Sequence, residues 1–193
     1  FTPYYTDGFL GVLERSKLIE FTVAGSTFQQ AVIDYCSKHE LNVDFRGSLH
    51  EYDLVLTCSD LVIPKNIRSR RIILVQEGMT DPENFAYYLV KYLGLPRYIA
   101  STSTTGMSDA YVRFCVASYG YRDHFMRKGV HPSKIAVTGI PNFDNCRELL
   151  DLPFEHKGST YVLVATSDAR ETFKYENRRK FIEQCYRIAD GRQ

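Results

Sequence analysis

The sequence lacks the features that mark several large protein classes. No apolar run approaches the roughly 18 residues that a membrane-spanning helix needs, and no Asn-x-Ser/Thr glycosylation site or signal peptide is visible. The five cysteines form no Cys-x-x-Cys pair. An odd number of dispersed cysteines predicts buried free thiols in a reducing compartment, and not a disulfide framework or a zinc site. We therefore expect a cytoplasmic protein.

The short motifs of the common catalytic folds are also missing. The chain contains no Walker loop, no G-x-G-x-x-G, no G-x-S-x-G and no H-E-x-x-H, so the signatures of P-loop, dinucleotide-binding, serine-hydrolase and zinc-protease sites are absent. A formal net charge of only +1 gives no support for a polyanionic partner. We expect no nucleic-acid partner, no cofactor and no metal requirement.

What the sequence does contain is an alternation of strand and helix patterns, clearest over residues 114–144. A short β-branched and aromatic run predicts a strand at 114–118, a helix follows at about 121–128, and a second strand follows at 134–138. Such runs are typical of strands buried on both faces of a parallel sheet. Gly129 stands where a helix end favours a left-handed residue. This unit is therefore predicted to be a right-handed βαβ crossover.

The same alternation extends through the rest of the chain. Further strands are predicted at 19–24, 42–45, 53–57, 72–76, within 98–106 and at 161–166, and further helices at 9–18, 27–38, 85–93, 144–150 and 171–190. In the helix at 85–93, the residues predicted to face the core are Phe85, Tyr88, Leu89 and Tyr92. The alternation predicts an α/β fold with a Rossmann-like, doubly wound parallel sheet.

A polar, irregular stretch divides the predicted elements into two groups. Residues 142–159 contain proline and glycine and are typical of an interdomain linker. Residues 1–141 are predicted to form a first Rossmann-like domain. Residues 160–193 are predicted to be the start of a second Rossmann-like domain.

Ligands of doubly wound sheets bind beyond the carboxyl ends of the strands, which selects a small set of residues. The strand at 72–76 ends in Gln76, Glu77, Gly78, Met79 and Thr80. A partly buried Glu77 at a cleft mouth would serve as a general base, while Gln76, Gly78 and Thr80 would contact substrate. The alternative is that Glu77 pairs with the basic connector at 68–71.

Asp60, after the strand at 53–57, is the second candidate carboxylate. Its alternative interpretation is an Asx turn or a helix cap. Asn142 follows the last strand of the first domain and is a further substrate-binding candidate. Ser167 and Arg170 follow the strand at 161–166, where a hydroxyl and a cation at a helix N-terminus suit a phosphate group. The alternative for these two is a cap with a solvent-facing arginine.

Two polar stretches have ordinary interpretations beside functional ones. The hydroxyl-rich loop at 101–105 would bind sugar or phosphate oxygens, but such loops commonly satisfy their own backbone. The basic run Lys65, Arg68, Arg70 and Arg71 would touch an anionic substrate or membrane headgroups, but it is typical of a solvated connector.

The stretch 121–144 resembles the end of the N-terminal domain in the GT-B fold superfamily. It is similar to the group that holds the non-hydrolysing UDP-N-acetylglucosamine 2-epimerases and related glycosyltransferases. The matching residues are Lys134, Ile135, Val137, Thr138, Gly139, Pro141 and Asp144, together with Ser59-Asp60 and Glu77-Gly78 upstream. In that group the Asp and Glu of the two upstream motifs are catalytic.

The departures from the pattern favour sugar transfer over epimerisation. The epimerases carry a His-Arg-Arg-Glu-Asn run, where this chain has Ser167-Asp168-Ala169-Arg170-Glu171 and no histidine. They also carry a Pro-Glu-Glu-x-Asn-Arg run, of which only Asp81-Pro82-Glu83-Asn84 is present here. The resemblance also implies that the chain is part of a longer enzyme, whose second domain binds the nucleotide-sugar.

The resemblance thus implies a glycosyltransferase that moves a sugar from a nucleotide-sugar donor to a sugar or lipid-linked acceptor, in polysaccharide or glycolipid synthesis. Glu77 would be the general base, Asp60 a supporting group, and Ser167 and Arg170 the ligands of the donor phosphates, with no metal required. Location at the inner face of the membrane, peripheral membrane contact and homodimerisation stay open. The alternatives are a sugar-nucleotide epimerase and a non-catalytic nucleotide- or sugar-binding domain.

Overall fold

The computed structural model of the protein describes residues 1–16, 26–150, 163–164 and 177–191, without the side chains of residues 26, 27 and 142. The chain divides into two compact units, Phe1–Cys146 and Arg147–Gln193. The division falls inside the stretch 142–159 that the sequence predicts as a linker. The second Rossmann-like domain stays a prediction.

The first unit is built on a four-stranded, all-parallel sheet. Its strands are β1 (Leu54–Thr57), β2 (Arg71–Val75), β3 (Arg113–Val116) and β4 (Ile135–Val137), in the spatial order β1-β2-β3-β4. Every connection therefore advances by one position in the same direction, and right-handed crossovers of this kind place their helices on the same face of a sheet. The architecture is α/β and consistent with a Rossmann-like fold.

The helices alternate with the strands as the sequence predicts, except that a short helix lies within the predicted basic connector. They are α1 (Gly8–Arg15), α2 (Ser26–Lys38), α3 (Lys65–Arg68), α4 (Phe85–Leu93), α5 (Tyr119–Lys128), α6 (Cys146–Leu149) and α7 (Arg178–Asp190). Short 3-10 helices lie at Phe45–Gly47, Arg97–Thr104, Pro132–Lys134 and Pro141–Phe143. None of the described helices is both long and apolar enough to cross a bilayer.

One face of the sheet forms the core of the first unit. Ile72, Leu74, Phe114 and Val116 project from this face and are fully buried. Phe125 of α5 packs on Phe114 with ring centroids 4.5 Å apart. Burying an apolar side chain of this size stabilises a fold by about 1.5–3 kcal/mol, so these contacts fix α5 against the sheet.

The opposite face is only partly covered within the described residues. Leu54 and Leu56 of β1 point to this side and are 48% and 68% exposed. On β4, Ala136 lies on this side and is half-buried, while Val137, which is paired with Val116 on the core side, is 36% exposed. The expectation that the strands of the 114–144 unit are buried on both faces is therefore wrong for β4.

Two predicted strands are wrong, and in both cases local polar contacts explain the difference. Residues 42–45 form no strand, because Asp44 accepts hydrogen bonds from the N–H groups of Ser48 and Leu49 at 2.9 and 3.0 Å, which folds the chain into a turn. The region 98–106 contains a 3-10 helix. There the hydroxyl of Thr104 donates to the carbonyls of Arg97 and Ser101 at 3.0 Å, and such side-chain bonds compete with a sheet ladder.

The bounds of α4 match the prediction, but its buried side does not. Asn84 caps the helix by accepting from the N–H of Tyr87 at 3.0 Å, and Gly94 ends it with φ 68°. The buried residues are Tyr87 and Val90, whereas Phe85 and Tyr92 are 78% and 72% exposed. The predicted core-facing side is thus the solvent-facing side.

The helix of the 114–144 unit is confirmed together with its C-terminal end, but it begins earlier than predicted. Ser118 caps α5 by accepting from the N–H of Tyr121 at 3.3 Å. The helix therefore begins at Tyr119, two residues before the predicted start. Gly129 ends it with φ 108°, which is the left-handed conformation that glycine favours.

Several predictions fall outside the described residues. These are the strand at 19–24, most of the strand at 161–166 and the first part of the helix at 171–190. Leu163 and Val164 are exposed and carry no regular secondary structure. Helix α7 begins only after Asn177, which caps it by accepting from the N–H of Lys180 at 3.1 Å.

None of the five cysteines forms a disulfide, but they are not all buried as expected. All five are free thiols. Cys36 is buried, Cys115 and Cys185 are half-buried, and Cys58 and Cys146 are exposed.

Candidate functional site

A cleft of about 500 Å³ lies at the carboxyl ends of β2, β3 and β4. This is the edge of a parallel sheet at which ligands bind. Three walls form it, and each follows a different strand. Its lining residues are Glu77, Gly78, Met79, Ala117, Ser118, Tyr121, Gly139, Ile140, Phe143 and Asp144.

The first wall follows β2 and carries Glu77. Its side chain is exposed, so the expectation of a partly buried carboxylate is wrong. The Cys58 thiol lies close enough to Glu77 for this charge to shift the pKa of the thiol. Partial burial raises the pKa of Cys58, and the Glu77 carboxylate raises it further, although the residue as a whole is exposed. Glu77 thus presents an accessible anion to the cleft.

Gln76 supports the cleft from beneath. Its side-chain oxygen accepts from the N–H of Ala117 at 2.9 Å, and its side-chain nitrogen donates to the carbonyl of Gly78 at 2.8 Å. Its own N–H donates to the carbonyl of Cys115 at 2.9 Å. Because Gln76 is buried and ties the first wall to the second, it holds the cleft in shape, where the sequence predicts a substrate contact.

Gly78 and Thr80, the other predicted substrate contacts of this loop, are placed differently. Gly78 lines the cleft, and a Cβ at this position would meet no atom within 4 Å. The space beside it is therefore open to a ligand. Thr80 is half-buried and is not among the lining residues.

The second wall is the start of α5, and the third follows β4. At the second wall, Ala117, Ser118 and Tyr121 line the cleft, and the helix directs the positive end of its dipole there. At the third, the N–H groups of Thr138 and Gly139 both donate to the carbonyl of Val116, at 3.0 and 3.3 Å. These bonds fasten the third wall to β3.

Asp144 gives the cleft a second carboxylate that the site prediction omits. It stands on the third wall, at the end of the Gly-Ile-Pro-x-x-Asp motif, so the motif match was the available signal. The backbone of Asn142 lies in the 3-10 helix Pro141–Phe143 beside it, while the Asn142 side chain falls outside the described part of the chain. Among the lining residues that the structure describes, two side chains are acidic and none is lysine or arginine.

Asp60 lies elsewhere, inside the protein. Its carboxylate is fully buried and accepts three hydrogen bonds: from Arg97 Nη1 at 2.9 Å, from the N–H of Gly106 at 3.0 Å and from the N–H of Ser108 at 3.1 Å. Asp60 is not among the residues that line the cleft. The structure therefore does not bring the two predicted catalytic carboxylates together.

The Asp60 contacts define a clasp that joins the loop after β1 to the segment before β3. Burial raises the pKa of the Tyr111 hydroxyl, and the charges of Asp60 and Asp109 raise it further, so this tyrosine stays protonated. Its hydroxyl donates to the carbonyl of Gly106. Sequence reasoning missed Arg97, because nothing near position 97 indicates a partner at position 60.

Similarity to known proteins does not assign a function to this cleft. Neither protein-family models nor curated proteins nor solved structures give a match to the chain. The function is therefore inferred from the cleft and from the residues that form it.

The remaining candidates have structural partners or lie outside the described residues. Ser167 and Arg170 are outside them. In the hydroxyl-rich stretch, the Ser103 hydroxyl donates to the carbonyl of Ala100 at 2.5 Å, which supports the interpretation of a loop that satisfies its own backbone. In the basic run, Arg70 lies 3.4 Å from the Glu51 carboxylate.

Within the described residues, no group of three or more His, Cys, Asp or Glu side chains is arranged to hold a metal ion.

Proposed function

We propose that the protein is a GT-B-type glycosyltransferase and that the cleft receives the acceptor. The acceptor is a sugar or a lipid-linked sugar, and the donor is a nucleotide-sugar. The finer assignment of the sheet as the N-terminal domain of a GT-B enzyme belongs to the same proposal.

One observation carries the proposal. The two stretches that resemble sugar-nucleotide enzymes, Glu77-Gly78 and Gly139–Asp144, are about sixty residues apart in the sequence, yet they line the same cleft. A parallel sheet brings the segments that follow its strands to one edge in any case, so the meeting of the two motifs supports the proposal only together with the resemblance itself. Their convergence at the carboxyl edge of the sheet is what a shared binding site requires.

The charge of the cleft favours an acceptor over a diphosphate. Glu77 and Asp144 are both acidic, and no lysine or arginine is among the described lining residues, so these two charges disfavour a doubly charged diphosphate. A sugar hydroxyl, by contrast, donates a hydrogen bond to a carboxylate. In the proposed reaction, Glu77 takes the proton of that hydroxyl, the hydroxyl oxygen bonds to the anomeric carbon of the donor, and the nucleoside diphosphate leaves.

The donor site belongs to the same proposal and lies outside the described residues. Ser167 and Arg170 would meet the donor phosphates there, as the sequence predicts. The positive charge of Arg170 would stabilise the departing diphosphate.

The test is nucleotide release from a panel of UDP-, GDP- and CDP-sugars. We expect release that depends on an added acceptor, and we expect Glu77→Gln to lower the rate by about 10²–10⁴-fold, the usual contribution of a general base. Glu51→Gln is the matched control, because Glu51 is an exposed glutamate away from the cleft.

Three results would contradict the proposal. Full turnover by Glu77→Gln removes its catalytic role. Solvent deuterium in the recovered sugar, with the nucleotide still attached, indicates an epimerase. Binding of nucleotide-sugar without either reaction indicates a non-catalytic domain.

A further inference from the structure

One aromatic ring in the wall of the cleft is supported by the core. Tyr121 lies in the first turn of α5 and is among the residues that line the cleft. Its ring is roughly parallel to the Phe125 ring, with centroids 6.0 Å apart and 27° between the planes. Phe125 is fully buried and packs in turn on Phe114 of β3. Two buried rings of the core therefore support Tyr121 from behind.

A further ring restrains Tyr121 from the side. The His124 ring meets the Tyr121 ring at nearly a right angle, with centroids 6.3 Å apart, and it also contacts Phe125. A side chain that is already held in place loses little conformational freedom when a ligand covers it. The half-buried Tyr121 ring is thus a preorganised flat surface at the cleft.

The cleft combines this flat ring with two carboxylates, those of Glu77 and Asp144, and with the apolar side chains of Ile140 and Phe143. An aromatic face carries partial negative charge and attracts polarised C–H groups, whereas a carboxylate accepts hydrogen bonds from hydroxyl groups. A pyranose ring has both kinds of surface, because its axial C–H bonds point out of its faces and its equatorial hydroxyls lie around its edge. The volume of about 500 Å³ is in the usual range for small-ligand sites.

We propose that Tyr121 is the platform on which the terminal pyranose of the acceptor stacks, and that it makes the cleft selective for ring sugars over open-chain polyols. This role rests on the proposed function and names the class of acceptor. A linear polyol offers the same hydroxyls to Glu77 and Asp144, but it has no flat C–H face to cover Tyr121. A uracil base would also stack on a tyrosine, but its edge carries two carbonyl acceptors beside one N–H donor, which suits two carboxylates less well.

The experiment is saturation-transfer difference NMR with the full chain and no nucleotide-sugar. The ring probes are methyl β-D-glucopyranoside and methyl β-D-galactopyranoside, which both carry the protons H1, H3 and H5 on one face. The open-chain probe is D-glucitol. We expect saturation of the aromatic protons of the protein to reach H1, H3 and H5 of at least one glycoside, and to reach glucitol only weakly.

Three variants assign the contact to Tyr121. Tyr121→Phe keeps the flat ring and should bind the glycoside as the unaltered protein does. Tyr121→Leu keeps an apolar side chain against Phe125 and removes the flat face, so it should weaken glycoside binding by about three- to tenfold. Tyr119→Leu is the matched control, because Tyr119 lies in the same turn of α5, is 70% exposed and is not among the described lining residues. Circular dichroism establishes that each variant is folded.

Contact with one ring face that persists in Tyr121→Phe and is lost only in Tyr121→Leu supports the platform. Any of four results would overturn it: equal glycoside binding by Tyr121→Leu, equal loss in Tyr119→Leu, saturation of glucitol equal to that of the glycosides, or no glycoside binding at all. Tighter Tyr121-dependent binding of uridine would overturn it as well, because the ring would then serve a nucleobase.

The outcome is distinguishable from that of the proposed sugar transfer, because the binding assay contains no donor. Acceptor-dependent nucleotide release that is unchanged in Tyr121→Leu refutes the platform and leaves the transfer in place. Tyr121-dependent binding of a glycoside without any nucleotide release refutes the transfer and leaves a sugar-binding cleft.

Discussion

Replacing Asp60 by alanine tests whether this carboxylate is a structural clasp or part of the catalytic machinery. The substitution removes the ion pair with Arg97 and the acceptors of two backbone N–H groups, those of Gly106 and Ser108. All three donors would keep their positions and lose their partner. The geometry therefore predicts a large loss of stability that does not depend on any substrate.

The size of the expected stability loss follows from how exposed the hydrogen-bond partners of Asp60 are. Deleting one member of a buried ion pair costs about 3–5 kcal/mol. Arg97 is 21% exposed, so water would solvate its guanidinium in part and reduce that cost. The N–H of Gly106 is buried, and leaving such a group unpaired adds about 1–3 kcal/mol. Together these give an expected loss of about 3–5 kcal/mol in the free energy of unfolding.

Urea unfolding followed by circular dichroism measures this loss. With a slope of about 2 kcal/mol per molar urea, the midpoint should fall by about 1.5–2.5 M. Asp60→Asn keeps one acceptor oxygen and should fall between the alanine variant and the unaltered protein. In a double-mutant cycle, Asp60→Ala with Arg97→Met should lose less than the sum of the single losses, because the two residues share an interaction.

A catalytic Asp60 makes the opposite prediction. Asp60→Asn would then abolish turnover and leave the unfolding midpoint almost unchanged. A fall of less than about 0.5 M for Asp60→Ala, or strict additivity in the cycle, would refute the clasp.

Three further outcomes are expected. Gln76→Leu leaves the N–H of the half-buried Ala117 and the carbonyl of the half-buried Gly78 without their side-chain partner. It should cost about 1–3 kcal/mol in urea unfolding, with weakened acceptor binding as a second readout, and a fully stable variant would contradict its supporting role. Gly106→Ala should be the more damaging of two alanine substitutions at left-handed glycines, because its Cβ would lie 2.9 Å from the buried Phe114 ring, whereas Gly139→Ala meets no atom within 4 Å; equal unfolding midpoints would refute this. Burial lowers the pKa of His124 in the folded protein below its usual 6.5. As the pH falls, this histidine is therefore protonated first in the unfolded chain, and thermal stability should decline below about pH 6.5. His124→Leu should flatten that part of the pH profile of stability.

Sequence patterns predicted α4 and α5 well because their end signals are local. Asn84 and Gly94 bracket one helix, and Gly129 ends the other, with side-chain and backbone preferences that need no distant partner. The sequence places Ser118, which caps the start of α5, at the end of a strand instead. The side of α4 that is buried could not be predicted in the same way. Eight of its nine residues are apolar or aromatic, so apolar side chains lie on every side and the tertiary packing of Tyr87 decides the orientation.

The difference between local signals and distant partners also explains which parts of the candidate site could be predicted. The rule for parallel sheets places Glu77 and the residues after β4 at one edge, and the structure brings them together. The rule also selects Asp60, yet the chain after β1 turns this carboxylate inward, toward Arg97 and the loop at Gly106. Those partners are 37 and 46 residues away in the sequence, and no local pattern near Asp60 indicates them.

The order of the strands also has a consequence for the way the protein is made. Each described strand pairs with the strand that precedes it in the chain, so the sheet is able to grow from one side as the polypeptide leaves the ribosome. No described strand has to wait for a later one to fill a central position. Asp60 is the exception to this vectorial assembly, because its charge stays in water until residues 97–108 have been synthesised and close over it.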